Sequence, residues 1–158
     1  MPDSYGITYG DTDISPTRPD TVSGTKGADR LQTGGSDGSA YPGFQRMFGG
    51  EGNDTFILRA KDFDGSTTVS KYVSDFSGAA GTGPANWSAT TNDFVAFSGF
   101  GSGASLLVVG ERDGTVATST TDKIFTYHIV DSSGNVLGAF DIQSLNGKAL
   151  GAGDFAFY

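Results

Sequence analysis

The sequence predicts an all-β protein, built from a stack of short nine-residue units and continued by ordinary strands. Three observations predict it. Glycine is abundant, 25 of 158 residues, yet lacks a three-residue period, so it serves tight turns and not a collagen helix. Aromatic residues make up 12% of the chain, too many for a disordered segment and enough for a core. A nine-place pattern of glycines, an aspartate and one large apolar residue recurs through the first third, and no segment carries a helical period. The chain reads as one structural domain in three stretches: an N-terminal cap or extension over 1–14, the repeats over 15–58, and a C-terminal β cap over 59–158.

Residues 1–14 match no unit and would cap the open end of the stack, where a bare strand edge invites pairing. Residues 15–23, "SPTRPDTVS", keep only Asp20 and Val22 of the pattern. Residues 24–32 read Gly24-Thr25-Lys26-Gly27-Ala28-Asp29-Arg30-Leu31-Gln32, a good copy with one glycine replaced. The fullest copy is Gly49-Gly50-Glu51-Gly52-Asn53-Asp54-Thr55-Phe56-Ile57, of the form G-G-x-G-x-D-x-U-x with U a large apolar residue. The 16 residues between these copies resolve as one unit with an insertion. Gly34-Gly35-Ser36 opens it and Gly43 to Phe48 closes it, with Gln45 in the aspartate place, Met47 in the apolar place and "DGSAYP" as the inserted loop.

A unit this short has no core of its own and must stack on its neighbours. Its glycines permit a tight turn, and x-U-x is a short strand whose apolar member points inward. Val22, Leu31, Met47 and Phe56 are the expected interior.

After Leu58 the pattern stops. "KYVSDF" (71–76), "DFVAFSGF" (93–100), "SLLVVG" (105–110), "KIFTYHIV" (123–130) and "VLGAFDI" (136–142) read as strands by their β-branched and aromatic content. "DSSGN" before Val136 is a hairpin turn, and "DFDG" at 62–65 is a turn and not an EF-hand loop, whose spacing it lacks. The stretch 77–92 is a long insertion rich in small residues, and it carries Trp87, which either stacks on a sugar ring or anchors its own loop. The final residues, Asp154 to Tyr158, read as a last strand with Phe155 and Phe157 on one face.

The units resemble the hemolysin-type, or RTX, calcium-binding nonapeptide repeats, most specifically at 24–32 and 49–57. The resemblance extends loosely over 15–158. It implies a short right-handed parallel β-roll continued by a sandwich-like or roll-like C-terminal cap. Successive units would alternate between two sheets, each turn stacking on the turn two units away. Calcium, a hard cation that takes six to eight oxygens, would sit between stacked turns. Carried over by position, Asp29 and Asp54 face one another across a stacked turn, with carbonyls from around Gly24, Gly27, Gly49, Gly50 and Gly52. Asp20 would face the neutral Gln45, so its site is expected to be weak or missing. "VSDF…NDFVAFSGFG" resembles the element that closes such a roll, where Asp75 and Asp93 either add ligands or end strands. The tail resembles the uncleaved C-terminal signal of proteins exported by type I secretion machinery. A secreted or cell-surface bacterial protein is therefore expected, although "MPDSYGITYG" has neither the basic nor the apolar region of a signal peptide.

Composition narrows the function. A net charge of −8 argues against a nucleic-acid partner, and no apolar run nears the roughly 18 residues of a membrane span, so no membrane insertion is expected. With no cysteine and only His128, a zinc site is not expected. No H-E-x-x-H, G-x-S-x-G or P-loop signature is present, and no enzyme is expected. The leading expectation is a calcium-binding extracellular module that folds on calcium. An alternative adds an anionic polysaccharide partner, by resemblance to the R-modules of alginate epimerases. Seven of the ten basic residues lie within 18–71, and Arg30, Arg46, Lys61 and Trp87 are the candidate contacts. A third is the terminal region of an adhesin or surface-layer protein.

Overall fold

The computed structural model describes residues 7–10, 20–35, 38–80, 92–115 and 121–158, with the backbone alone described at 7–10 and 20. Among these residues the protein is all-β apart from one 3-10 turn, Ala60–Asp62. The strands are β1 (Ile7–Gly10), β2 (Asp20–Ser23), β3 (Arg30–Gly35), β4 (Gln45–Phe48), β5 (Thr55–Arg59), β6 (Val69–Phe76), β7 (Phe94–Ser98), β8 (Ser105–Asp113), β9 (Lys123–Val130), β10 (Val136–Ser144) and β11 (Phe155–Phe157).

From β1 to β7 the chain changes sheet at every strand. One sheet runs β1-β3-β5-β7-β11 and the other β2-β4-β6-β10-β9-β8. Neighbours along the odd row and along β2-β4-β6 are all parallel. A parallel pair needs a crossover connection, and here each crossover is itself a strand of the facing sheet. The chain thus winds as a flattened coil. In-register contact then puts every inward residue over its counterpart one coil away. Leu31, Phe56 and Val95 form one such column, and Val22, Met47, Val73 and Ile142 form the other. All seven are 0–1% exposed. The four residues expected inside from the repeat pattern are among them.

The winding does not end at Leu58. β6 and β7 continue it, with Val73 and Val95 in the inward places. Periodicity lost the count there because the connecting sequences, 60–68 and 77–93, are long and lack the glycine pattern. At the front, β1 pairs in parallel with β3, so part of the N-terminal cap or extension adds a strand to the coil.

The C-terminal part then closes the core. β8, β9 and β10 form an antiparallel meander that joins the second sheet where β10 runs parallel to β6. The β9–β10 turn is set by Asp131, whose Oδ1 accepts the N–H groups of Ser133 and Asn135, and by Gly134 at φ +85°. β11 returns beside β7 in parallel, stacking Phe157 on Phe97 with ring centres 4.7 Å apart. Phe97 also meets Phe100, Phe140 and Phe155, so this aromatic cluster seals the end of the coil opposite β1.

Candidate metal centre

The turn between β2 and β3 (24–29) stacks directly on the turn between β4 and β5 (49–54). Gly24 N–H donates to Phe48 O at 2.7 Å and Glu51 N–H to Thr25 O at 3.2 Å. Four glycines make that approach possible. A Cβ on Gly24 would strike Gly49 O and lie 2.8 Å from Asp29 Oδ2, and one on Gly49 would strike Asp54 Oδ2. One on Gly50 would strike Thr25 O, and one on Gly52 would sit 2.7 Å from Gly27 O. Gly50 (φ +94°) and Gly52 (φ +113°) also hold the left-handed conformation that glycine alone adopts freely. Gly27 has neither constraint, and nothing in the structure explains its lack of a side chain.

Two carboxylates close this oxygen-lined stack. Asp29 Oδ2 accepts from Thr25, from both its N–H and, at 2.9 Å, its hydroxyl. Asp54 Oδ1 accepts the N–H of Asp29 at 2.9 Å. Asp54 Oδ2 is buried without any hydrogen-bond partner, in a residue only 1% exposed. Burial pushes the Asp54 carboxyl up to about 6, with the charges of Asp29 and Asp75 adding to the effect.

Asp93 continues the column. Its Oδ1 accepts the N–H of Asp54 at 2.9 Å and its Oδ2 that of Ser77 at 2.8 Å. Burial drives its carboxyl up to about 7, and Asp54 and Asp75 add repulsion. Asp75 caps the same turns from the other sheet, taking Gly49 N–H at 2.9 Å and Gly50 N–H at 2.8 Å, and burial raises its pKa too. Four carboxylates thus crowd one edge of the coil, and two of them, Asp75 and Asp93, already serve as backbone caps with both oxygens. Among the described residues no three or more His, Cys, Asp or Glu side chains gather into a metal cluster, so ligation would draw on backbone carbonyls.

The other expected residues are dispersed. Asp20 pairs through its backbone with Gln45, as the repeat count places it, and its side chain lies outside the described residues. Gln45 is buried and bonded to its own turn, accepting Gly34 N–H at 2.9 Å. Arg30 and Arg46 are both exposed but belong to β3 and β4, in different sheets, so they point from opposite faces. They form no common basic surface, which follows from the alternation of units. Arg46 lies over the Tyr72 ring, 5.6 Å from its centre. Lys61 Nζ donates to Gly38 O at 2.7 Å. Trp87 lies outside the described residues.

Sequence reasoning missed Lys71 and the Arg59–Asp62 pair. Lys71 is completely buried at the aspartate place of its unit, opposite Gln45. Arg59 meets buried Asp62 at 2.7 Å. The three-residue spacing of Arg59 and Asp62 was a usable signal, whereas the burial of Lys71 depends on a register set across an irregular turn. Comparison with protein-family models, curated proteins and solved structures gave no match to this chain.

Proposed function

We propose that the chain is a calcium-binding module, a β-roll of nonapeptide turns in which calcium bound between turns 24–29 and 49–54 completes the fold. The observation that carries this reading is the buried, unpartnered Oδ2 of Asp54, in a pair of turns stacked so tightly that only glycine fits at Gly24, Gly49, Gly50 and Gly52. A buried anionic oxygen without a partner is costly, and a cation removes that cost. Asp29 and Asp54 would hold the ion, with the carbonyls of Thr25, Gly27 and Gly49. Calcium would supply positive charge and accept an irregular set of oxygens, which magnesium accepts poorly.

The chain's own residues set the response. Asp54 is repelled by Asp29 and Asp75, and Asp93 by Asp54 and Asp75, so the edge would loosen in low calcium and tighten in high calcium. Extracellular modules bind at roughly 10⁻⁴ to 10⁻³ M, and export before folding suits such a device. The test is titration of the metal-stripped protein with calcium, followed by far-UV circular dichroism and calorimetry, with magnesium as control. A calcium-specific gain of β structure and of Tm is expected. A flat response would sink the reading.

A polysaccharide partner is a second reading, favoured by one feature. An open groove of about 620 Å³ runs along the outer face of the first sheet, where Arg30 and Gln32 lie with Phe94 and the exposed Tyr158. An acidic glycan seated there would lose affinity with Arg30→Ala and not with Arg46→Ala. Equal loss in both variants would exclude this groove.

A further inference from the structure

The coil has two edges of turns. One carries the acidic column just described; the other is formed by the turns β3–β4 and β5–β6. We infer that this second edge carries its own cations: Lys71, Arg59 and Lys61 occupy a cage of backbone carbonyls that would otherwise take a metal ion.

Four of the five carbonyls belong to the β3–β4 turn, 38–43, and the fifth is Ser70 O on β6. Gly38 O accepts Lys61 Nζ at 2.7 Å, and Ser39 O accepts Arg59 Nη2 at 2.9 Å. Tyr41 O and Gly43 O accept Lys71 Nζ at 3.0 and 2.6 Å, and Ser70 O lies at 3.3 Å. The rings of Tyr41 and Phe63 flank the Lys71 ammonium, 5.8 and 5.4 Å from their centres. Asp62 fixes the arrangement, accepting from Arg59, from Tyr41 N–H at 2.9 Å and from Thr33 Oγ1 at 2.6 Å.

The two edges are complementary. At equivalent register places the first sheet carries Asp29, Asp54 and Asp93, and the second Asp20, Gln45 and Lys71. The acid column holds an oxygen without a partner at its middle member, Asp54, and the mixed column ends in a buried ammonium wrapped in oxygens. A fully buried ammonium keeps its charge where oxygen dipoles replace its water. Those dipoles here are the turn carbonyls of the neighbouring coil, the kind of donor a hard cation selects. Because the cations are tethered to β5, the 3-10 turn and β6, this edge closes without metal. Calcium dependence is then confined to the acidic edge, a consequence that rests on the calcium reading above; the cage itself does not.

The test uses the whole chain. In EDTA, Lys71→Ala should lower Tm by about 10 °C, and ethylammonium or propylammonium should restore part of it, while propanol should not. Lys71→Asp should be destabilised in EDTA and regain stability in calcium by binding one ion more than the parent. An unchanged metal-free Tm for Lys71→Ala, or rescue by propanol as good as by the ammonium, would overturn the inference. So would a Lys71→Asp chain that gains nothing from calcium beyond the parent's response. A parent indifferent to calcium, with Lys71→Ala still rescued by ammonium, would sink the calcium reading and leave the cage standing.

Discussion

Asp54 gives one carboxylate oxygen to the N–H of Asp29, 2.9 Å away and one coil back, while its other oxygen is buried without a partner. The two oxygens have different consequences. The first fixes the stacking of turn on turn; the second leaves a buried acceptor unsatisfied, at a cost that a cation or a proton would remove.

Asp54→Asn separates them. The amide oxygen keeps the bond to Asp29, and the amide nitrogen offers donors where the orphaned oxygen stood. The metal-free protein should gain about 1–2 kcal/mol. The calcium-induced rise in Tm should vanish. Scanning calorimetry with and without calcium checks both. Asp29→Ala should lose the calcium response without the metal-free gain.

Acidity should act in the same direction as metal. Burial raises Asp54 to about 6 and Asp93 to about 7, against 3.8 for an ordinary aspartate. Between those values the folded chain holds protons that the unfolded chain has released. Metal-free stability is therefore greatest toward the low end of this window and falls as pH rises through 6 to 7. Calcium affinity should rise over the same interval, with release of protons on binding. Melts in EDTA between about pH 5 and pH 8 test the first statement, and calorimetry in buffers of different ionisation enthalpy tests the second.

Gly50 and Gly27 should respond differently to alanine. At Gly50 the added methyl meets Thr25 O in a left-handed backbone, and a loss of at least about 2 kcal/mol is expected. At Gly27 the space is open, and the change should stay within about 0.5 kcal/mol. Chemical denaturation of the calcium-loaded variants distinguishes them.

Asp75→Ala removes two acceptors from the buried N–H of Gly49 and from Gly50. Loss of about 2–4 kcal/mol is expected with and without calcium alike, as suits a cap. A variant that kept its metal-free stability and lost only calcium affinity would instead make Asp75 a ligand.

Much of this arrangement is legible in the sequence wherever the repeat survives. Counting nine places across the inserted loop sets Asp20 against Gln45 and Val22 against Met47, and the parallel register agrees. The same count brings Asp29 beside Asp54. Beyond Leu58 the count fails. Lys71 reads as one polar residue in a strand, because nothing local reveals that a turn of another coil will wrap its ammonium. Asp75 and Asp93 read equally as ligands or strand ends, since their roles depend on N–H groups 26 and 39 residues earlier in the chain. Arg30 and Arg46 were separable in principle, because consecutive units alternate in sheet.

The separation of 25 residues between Asp29 and Asp54 also describes how this chain can assemble. Successive coils close loops of 25 residues (Leu31 to Phe56), 26 (Met47 to Val73) and 39 (Phe56 to Val95), and because closure entropy grows only with the logarithm of length, each added coil costs nearly the same. Growth of this kind is propagation along a line, with a nucleus and a moving front, and it can proceed as the chain is delivered from one end. On the calcium reading, the Lys71 edge would be a nucleus that needs no solute, and the acidic edge a front that would halt or advance with the ion supply. Folding would then be timed by where the chain is, not by how much of it has been made.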